Sequence, residues 1–343
     1  MKTITVYDIA KEANVSVATV SRVLNDTAPV KASTREKVNA VIQKYQFQPN
    51  ALARSLISKA TGMIGMILPD ITNPFFPEVF KGAEDEARAK GYTFFLCNSG
   101  GDYRRESEYL SALKEKRVDG IIFLGGRINA SRCSPELASE VAELAEQIPV
   151  ILVNGALPKS GVHRVMSDET LGAELAMQHL IDLGHRDIAF IGGVADMIPT
   201  MQKVKAFKKK LSENGLPIRP EWVLNKDFSV ENGKELMAEL LRGSKRPSAV
   251  MCVNDFTAVG AVKTAIERGL RIPEDISIVG YDDTPLSTTV IPELTTVAQR
   301  TYELGKQSVT LLHQLINGEK TKKVTMLRPE LVVRQSTGPY RAR

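Results

Sequence analysis

The run Ser16-Val17-Ala18-Thr19-Val20-Ser21-Arg22 brings together small side chains, hydroxyls and one guanidinium. Apolar Val15, Val20, Val23 and Leu24 recur at helical spacing, so a short helix can turn them toward a small core. Ser16, Val17, Ala18, Ser21, Arg22 and Asn25 then line the opposite side. Small residues let a helix come close to base edges in a DNA major groove, and an arginine can fork onto a guanine. Ser16 stands at an N-cap position, after a turn centred on Asn14.

Positioning that helix requires neighbours. Val6–Ala13 reads as a second short amphipathic helix, and two such helices across a tight turn form the helix-turn-helix pattern. Ser33-Thr34-Arg35-Glu36 has the form of a capping arrangement opening a third helix to about Tyr45, with Val38, Val41 and Ile42 as its buried stripe. Gln48-Pro49-Asn50 breaks the chain, and Ala51–Leu56 is a helical stretch too short to be stable alone. Ser58–Gly62 reads as a linker. Residues 1–60 hold nine Lys or Arg against four acids, a balance of +5, which is the net charge of the entire chain. All the net positive charge therefore coincides with the motif, as phosphate neutralisation requires.

At 343 residues, 43% hydrophobic and 25% charged, the chain suits two or three globular units with a substantial core. From Met63 the pattern alternates strand and helix, with strands expected at 63–68, 92–97, 120–124 and 150–153. The alternation resumes with a helix at 171–183, strands at 188–191, 248–253 and 276–280, and helices at 203–214 and 257–268. Two such runs imply two doubly wound parallel sheets with a cleft beyond the carboxyl ends of the strands. Cys97, Cys133 and Cys252 are scattered, which reads as buried thiols in a reducing compartment. Neither a signal segment nor an apolar run of membrane-spanning length is visible, so a cytoplasmic protein is expected. The four histidines, His163, His179, His185 and His313, lack metal-ligand spacing. Gly125-Gly126 and Gly192-Gly193 are turn pairs rather than a nucleotide fingerprint. No enzyme, metal or cofactor is expected.

Tyr7-Asp8-Ile9-Ala10, the run 15–25 and Pro49-Asn50-Ala51-Leu52-Ala53-Arg54-Ser55-Leu56 carry a resemblance to a known family. Pro69-Asp70-Ile71-Thr72-Asn73-Pro74-Phe75-Phe76, Leu183-Gly184-His185, Asn254-Asp255, Gly280-Tyr281-Asp282-Asp283 and Leu294-Thr295-Thr296-Val297 with Gln299 extend it along nearly the whole chain. The sequence resembles the LacI/GalR family of bacterial transcription regulators. The resemblance implies an all-α helix-turn-helix head on an α/β two-lobed core like that of periplasmic binding proteins. Expected boundaries are 1–48 for the head, 49–61 for a hinge helix and linker, and 62–343 for the core. The lobes are expected at 62–160 with 292–320, and at 161–291 with 321–343.

The resemblance further implies a homodimer, sometimes a tetramer, repressing from a pseudo-palindromic operator. Val17, Ala18 and Arg22 would enter the major groove, with Ser16, Thr19, Ser21 and Thr34 on phosphates and Tyr7 and Asn25 also on the DNA side. Asn50, Ala53 and Arg54 would lie in the minor groove, where Leu56 matches the family's wedge. In the cleft, Phe75, Phe76, Asn98, Asn154, Asn254 and Asp282 follow strands, Phe228 matches a family aromatic, and Gln299 lies near the crossover strands. Asp282 is assigned to ligand because Asp283 can supply the cap. Where the family carries an Arg, then Gly and an aromatic, this chain has Lys203, Ala206 and Phe207, beside Thr200. A lysine is a point charge rather than a planar fork. A sugar, sugar acid or sugar phosphate therefore fits better than a nucleobase. The alternatives are the same DNA-binding regulator governed by a protein co-regulator, and a solute-binding receptor.

Overall fold

The computed structural model describes residues 4–25, 28–47, 60–157 and 160–341. The chain divides into two compact units, Met1–Thr61 and Gly62–Arg343.

The first unit contains helices α1 (Val6–Glu12), α2 (Val17–Asn25) and α3 (Ala32–Lys44). Thr5 and Asp8 form a reciprocal capping box at the start of α1. Asn14 turns the chain at φ 51°, and Ser16 Oγ then accepts the Thr19 amide at 3.1 Å, capping α2. Ile9, Val20 and Val38 are fully buried at the centre, with Val15, Leu24 and Ile42 packed around them. α3 departs from the expected start: it begins after Lys31, without a side-chain cap. Ser33 and Thr34 fall inside its first turn, where the Thr34 and Arg35 amides donate to the Lys31 carbonyl instead of to a side chain.

The second unit holds two parallel sheets. The first contains β1 (Met63–Leu68), β2 (Thr93–Asn98), β3 (Gly120–Leu124), β4 (Val150–Val153), β5 (His163–Ser167) and a late strand at Val324–Leu327. Its spatial order is late strand, β5, β4, β3, β1, β2. Helices α4 (Phe75–Ala89), α5 (Tyr103–Glu115) and α6 (Pro135–Ala145) connect its early strands. α7 (Glu169–Asp182), capped by Asp168, leads into the second sheet. That sheet contains β6 (Ile188–Ile191), β7 (Val223–Leu224), β8 (Ala249–Cys252) and β9 (Ser277–Val279), in the order β7, β6, β8, β9. α8 (Ile198–Glu213), α9 (Val230–Arg242), α10 (Asp255–Glu267) and the short α11 (Leu286–Thr289) accompany it. β10 (Thr296–Ala298) bridges to the end of β9, α12 (Thr301–Ile316) returns to the first lobe, and the late strand is β11. β12 (Glu330–Val332) pairs antiparallel with β10.

Strand pairing corrects the expected lobe boundaries. β5 pairs with β4 and β11 pairs with β5, so residues 163–167 and 324–327 complete the first lobe instead of opening or closing the second. Both strands mix polar with apolar residues and gave no buried-strand pattern; β11 is an edge strand with Met326 53% exposed. α8 also starts earlier than expected, at Ile198, because Pro199 fits a first turn where no amide donor is needed.

Candidate ligand cleft and nucleic-acid interface

On α2, Val17 is 37% exposed, and Ser16, Ala18 and Arg22 are exposed beside it. The apolar side of the same helix is closed by Val20 and Val23, so burial divides α2 along the line expected from its sequence. Thr19 and Ser21 are half-buried at the margin, Thr34 is half-buried on α3, and Tyr7 is 74% exposed on α1. Ser16 Oγ lies 2.9 Å from Thr19 Oγ1. The Asn25 side chain, Asn50, Ala53, Arg54 and Leu56 lie outside the described residues.

The cleft opens beyond the carboxyl ends of β1, β3, β4, β6, β8 and β9, with a cavity of about 310 Å³. Eight of the ten cleft candidates line it: Phe75, Phe76, Asn154, Lys203, Phe228, Asn254, Asp282 and Gln299. Phe75 and Phe76 meet edge to face with ring centroids 5.2 Å apart, at the start of α4, where the Asn73 side chain accepts the Phe75 amide. These aromatic faces and the amides opposite suit the apolar and hydroxyl-bearing sides of a small polyol.

Two candidates fall elsewhere. Asn98 does not line the cleft; it ends the edge strand β2, and its Oδ1 accepts the Ile71 amide at 2.9 Å, pinning the loop after β1. Thr200 is buried behind the cleft wall, packed against Gly193.

The cleft floor is a hydrogen-bonded chain between the lobes. Gln299 Nε2 donates to Asp282 Oδ1 at 2.6 Å, Asn154 Nδ2 donates to Gln299 Oε1 at 2.9 Å, and the Ser167 amide donates to Asn154 Oδ1 at 2.7 Å. Asp282 and Asn154 hold positive φ angles of 107° and 49°, a strain that the surrounding contacts must sustain. Burial pushes the Asp282 carboxyl well above the usual carboxylate range, with Lys203 opposing and Asp255 and Glu169 reinforcing. Asp283 does not cap α11: its carboxylate takes Arg334 at 2.7 Å and the Ser287 hydroxyl at 3.2 Å. Asn254 does cap, accepting the Thr257 amide at 2.9 Å while donating to the Phe228 carbonyl at 3.2 Å.

Lys203 is committed inside the protein. Its ammonium lies 3.1 Å from Glu169 Oε2, donates to the Val253 carbonyl at 3.1 Å and sits 3.8 Å from the centre of the Tyr281 ring. Glu169 also lines the cleft, as do Tyr103, Asn129 and Met197, none of which the sequence reading selected. The rule of reading residues after strands would have reached Glu169 had β5 been recognised, because it lies just past that strand's end, after Asp168.

His185 serves structure rather than chemistry. Its Nε2–H donates to the Gly338 carbonyl at 3.1 Å and its Nδ1 pairs with Ser248 Oγ at 2.9 Å, fastening the C-terminal segment. No cluster of three metal-ligating side chains occurs among the described residues. No helix among them is long and apolar enough to cross a membrane.

A helix-turn-helix unit on one chain with a two-lobed, cleft-bearing core is the architecture of a DNA-binding regulator. The comparisons agree: residues 5–50 match the bacterial regulatory proteins of the lacI family, and residues 177–337 match the periplasmic binding protein-like domain. The chain is 39% identical over 340 residues to the HTH-type transcriptional regulator DegA of Bacillus subtilis (strain 168), covering 99% of each. Among solved structures it is similar to the Lac repressor dimer bound to operator and the anti-inducer ONPF. That match has a TM-score of 0.87 at 29% identity, over 98% of this chain and 100% of the other. A LacI family transcriptional regulator from Enterococcus faecium with bound ribose matches at TM-score 0.72 and 32% identity, over 81% of this chain and 100% of the other. The chain belongs to the lacI family of bacterial regulatory proteins. It is a DNA-binding transcriptional regulator, and its relatives are regulators rather than enzymes.

Proposed function

We propose that the protein represses transcription as a homodimer on a pseudo-palindromic operator, under control of a small carbohydrate held in the cleft. One observation carries this reading. The chain carries both an exposed helix face of Val17, Ala18 and Arg22 and a cleft where aromatic rings and amides surround a hydrogen-bonded floor. The ribose seen in a family neighbour supports the ligand class. On DNA, Val17, Ala18 and Arg22 read bases, and Tyr7, Ser16, Thr19, Ser21, Asn25 and Thr34 fix the register on the backbone. Asn50, Ala53 and Arg54 follow the minor groove, with Leu56 wedged at the central step. The ligand shifts the population of lobe arrangements and thereby the spacing that the two hinge segments present to DNA. Acting on DNA, the protein works in the cytoplasm.

Selection from random duplexes, followed by operator titration with and without sugars, tests the proposal. Arg22→Ala is expected to cost about 1–3 kcal/mol at the selected site and to relax its preference for guanine. Unchanged affinity and sequence preference would remove α2 from the major groove. Leu56→Ala is expected to weaken specific binding while sugar binding persists; equal operator affinity in parent and variant rejects the wedge. Operator affinity indifferent to every sugar, yet raised by a second protein, replaces the carbohydrate with a protein co-regulator.

A further inference from the structure

The charged groups of the cleft decide what kind of carbohydrate it can hold. Lys203 is the one Lys or Arg among the described residues that line it, and Asp70, Glu169 and Asp282 line it as well. A free lysine there would attract phosphates and carboxylates. This lysine is not free. It is 4% exposed and held from three sides by the Glu169 carboxylate, the Val253 carbonyl and the Tyr281 ring. An entering anion would have to pull it from all three and would then face the Glu169 carboxylate left behind, and in a water-poor cleft like-charge approach is strongly unfavourable.

Glu169 adds a second, independent observation. It is 7% exposed and occupies the first position of α7, held by the helix that Asp168 caps. Its Oε2 meets Lys203 off the hydrogen-bonding direction and has no hydrogen-bond partner. A buried carboxylate oxygen without a donor is costly, so drawing the Lys203 ammonium away from Glu169 would raise that cost further. Lys203, the one lining cation among the described residues, is thus already engaged.

We propose that Glu169 determines the charge class of the ligand: the cleft takes a donor-rich carbohydrate that is uncharged or bears a protonated amine, and refuses sugar phosphates and sugar acids. This rests on the carbohydrate reading above and narrows it. The acidic lining of Asp70 and Glu169 favours an ammonium on such a ligand over an anion, and Phe75, Phe76 and Phe228 cover its apolar face.

The test uses the full-length protein and three matched sets of probes. They are neutral aldoses and disaccharides, the corresponding 2-amino sugars, and the corresponding monophosphates and uronic acids. Thermal shift finds hits, and calorimetry gives their affinities. Stabilisation by neutral or amino sugars but not by their anionic counterparts is expected. In Glu169→Gln, which releases Lys203, an anionic counterpart should gain roughly tenfold or more in affinity while the amino sugar loses its advantage. The double variant E169Q/K203M removes both charges and should refuse anions as the parent does. It also carries the comparison if E169Q alone, with its unpaired buried ammonium, does not fold. An anion bound by the parent as tightly as its neutral counterpart, or an E169Q charge preference equal to the parent's, overturns the charge rule and leaves the carbohydrate reading standing. If no member of any set stabilises parent or variants, the carbohydrate reading itself fails, and the charge rule with it.

Discussion

Arg127 is fully buried beside the cleft, a position that is costly unless every donor finds an acceptor. Its Nε donates to Glu106 at 2.7 Å and its Nη1 to Glu140 at 2.6 Å, while Nη2 reaches the Ser107 hydroxyl at 2.7 Å and the Tyr103 carbonyl. The guanidinium thereby ties the turn after β3 to α5 and α6. Gly126 lies against the Glu106 carboxylate with φ 65°, leaving no room for a side chain. Arg127→Met leaves the buried Glu106 carboxylate without a countercharge, only the backbone amide of residue 127 still donating to it, and a loss of about 3–5 kcal/mol in urea denaturation is expected. Asp255 supplies a prediction of opposite character. Its carboxylate accepts Thr296 Oγ1 at 2.6 Å and the Thr284 amide at 2.7 Å, yet burial outweighs these and raises its pKa to about 6. The folded chain therefore holds this proton more tightly than the unfolded chain, whose ordinary value is 3.8. The resulting stabilisation is complete below that value and is lost as pH rises through about 6. Denaturation midpoints measured across this range should fall with rising pH, and Asp255→Asn should flatten the part of the slope that Asp255 supplies. An unchanged slope would assign the titration to another group.

At the scale of elements, two helix pairs approach so closely that only glycine fits the contact. A Cβ on Gly260 of α10 would meet the Val230 carbonyl of α9, and one on Gly233 of α9 would meet the Thr257 carbonyl. Gly82 and Gly305 make the same exchange between α4 and α12. In both pairs the obstruction is backbone, which cannot rotate aside as a side chain can. Alanine at Gly260 must therefore push α9 from α10, and α10 carries the Asn254 cap at the cleft. Overpacking of this kind costs about 1–3 kcal/mol. Gly260→Ala should lower the melting temperature and weaken sugar binding together, whereas Gly269→Ala, in open space but at φ 74°, should affect melting alone. Equal melting of parent and G260A would show that the helices can separate freely.

For the core as a whole, the chain Asp282–Gln299–Asn154–Ser167 joins the ends of β9, β4 and β5 across the lobes. Gln299 stands where the chain passes from β10 to α12, so its amide is positioned to register any change in lobe arrangement. Gln299→Leu keeps the bulk but removes both bonds. It should reduce the sugar-dependent change in operator affinity more than it reduces operator affinity without sugar, because coupling needs the lobes to sense one another. Titrations with and without sugar measure this directly. An unaltered ratio between the two affinities would place the coupling elsewhere.

What the sequence determined by itself was local and periodic. Val15, Val20, Val23 and Leu24 at helical spacing and a capping serine specified α2 and the division between its buried and exposed sides. Apolar runs such as Met63–Leu68 and Val150–Val153 located the central strands, and residues after them located most of the cleft. Tertiary structure decided the rest. The half-polar run His163–Ser167 is a strand only because β4 and β11 pair on either side of it, and no periodicity within five residues carries that information. Its position put Glu169 into the cleft, and strand order put Asn98 on an outer edge although it too follows a strand. Lys203 shows the difference most directly. Its sequence neighbourhood suggested a cation offered to ligand, but Glu169, Val253 and Tyr281, which occupy it, come from three separate parts of the chain. Whether a charge is free or spent depends on neighbours in space, and folding alone supplies them.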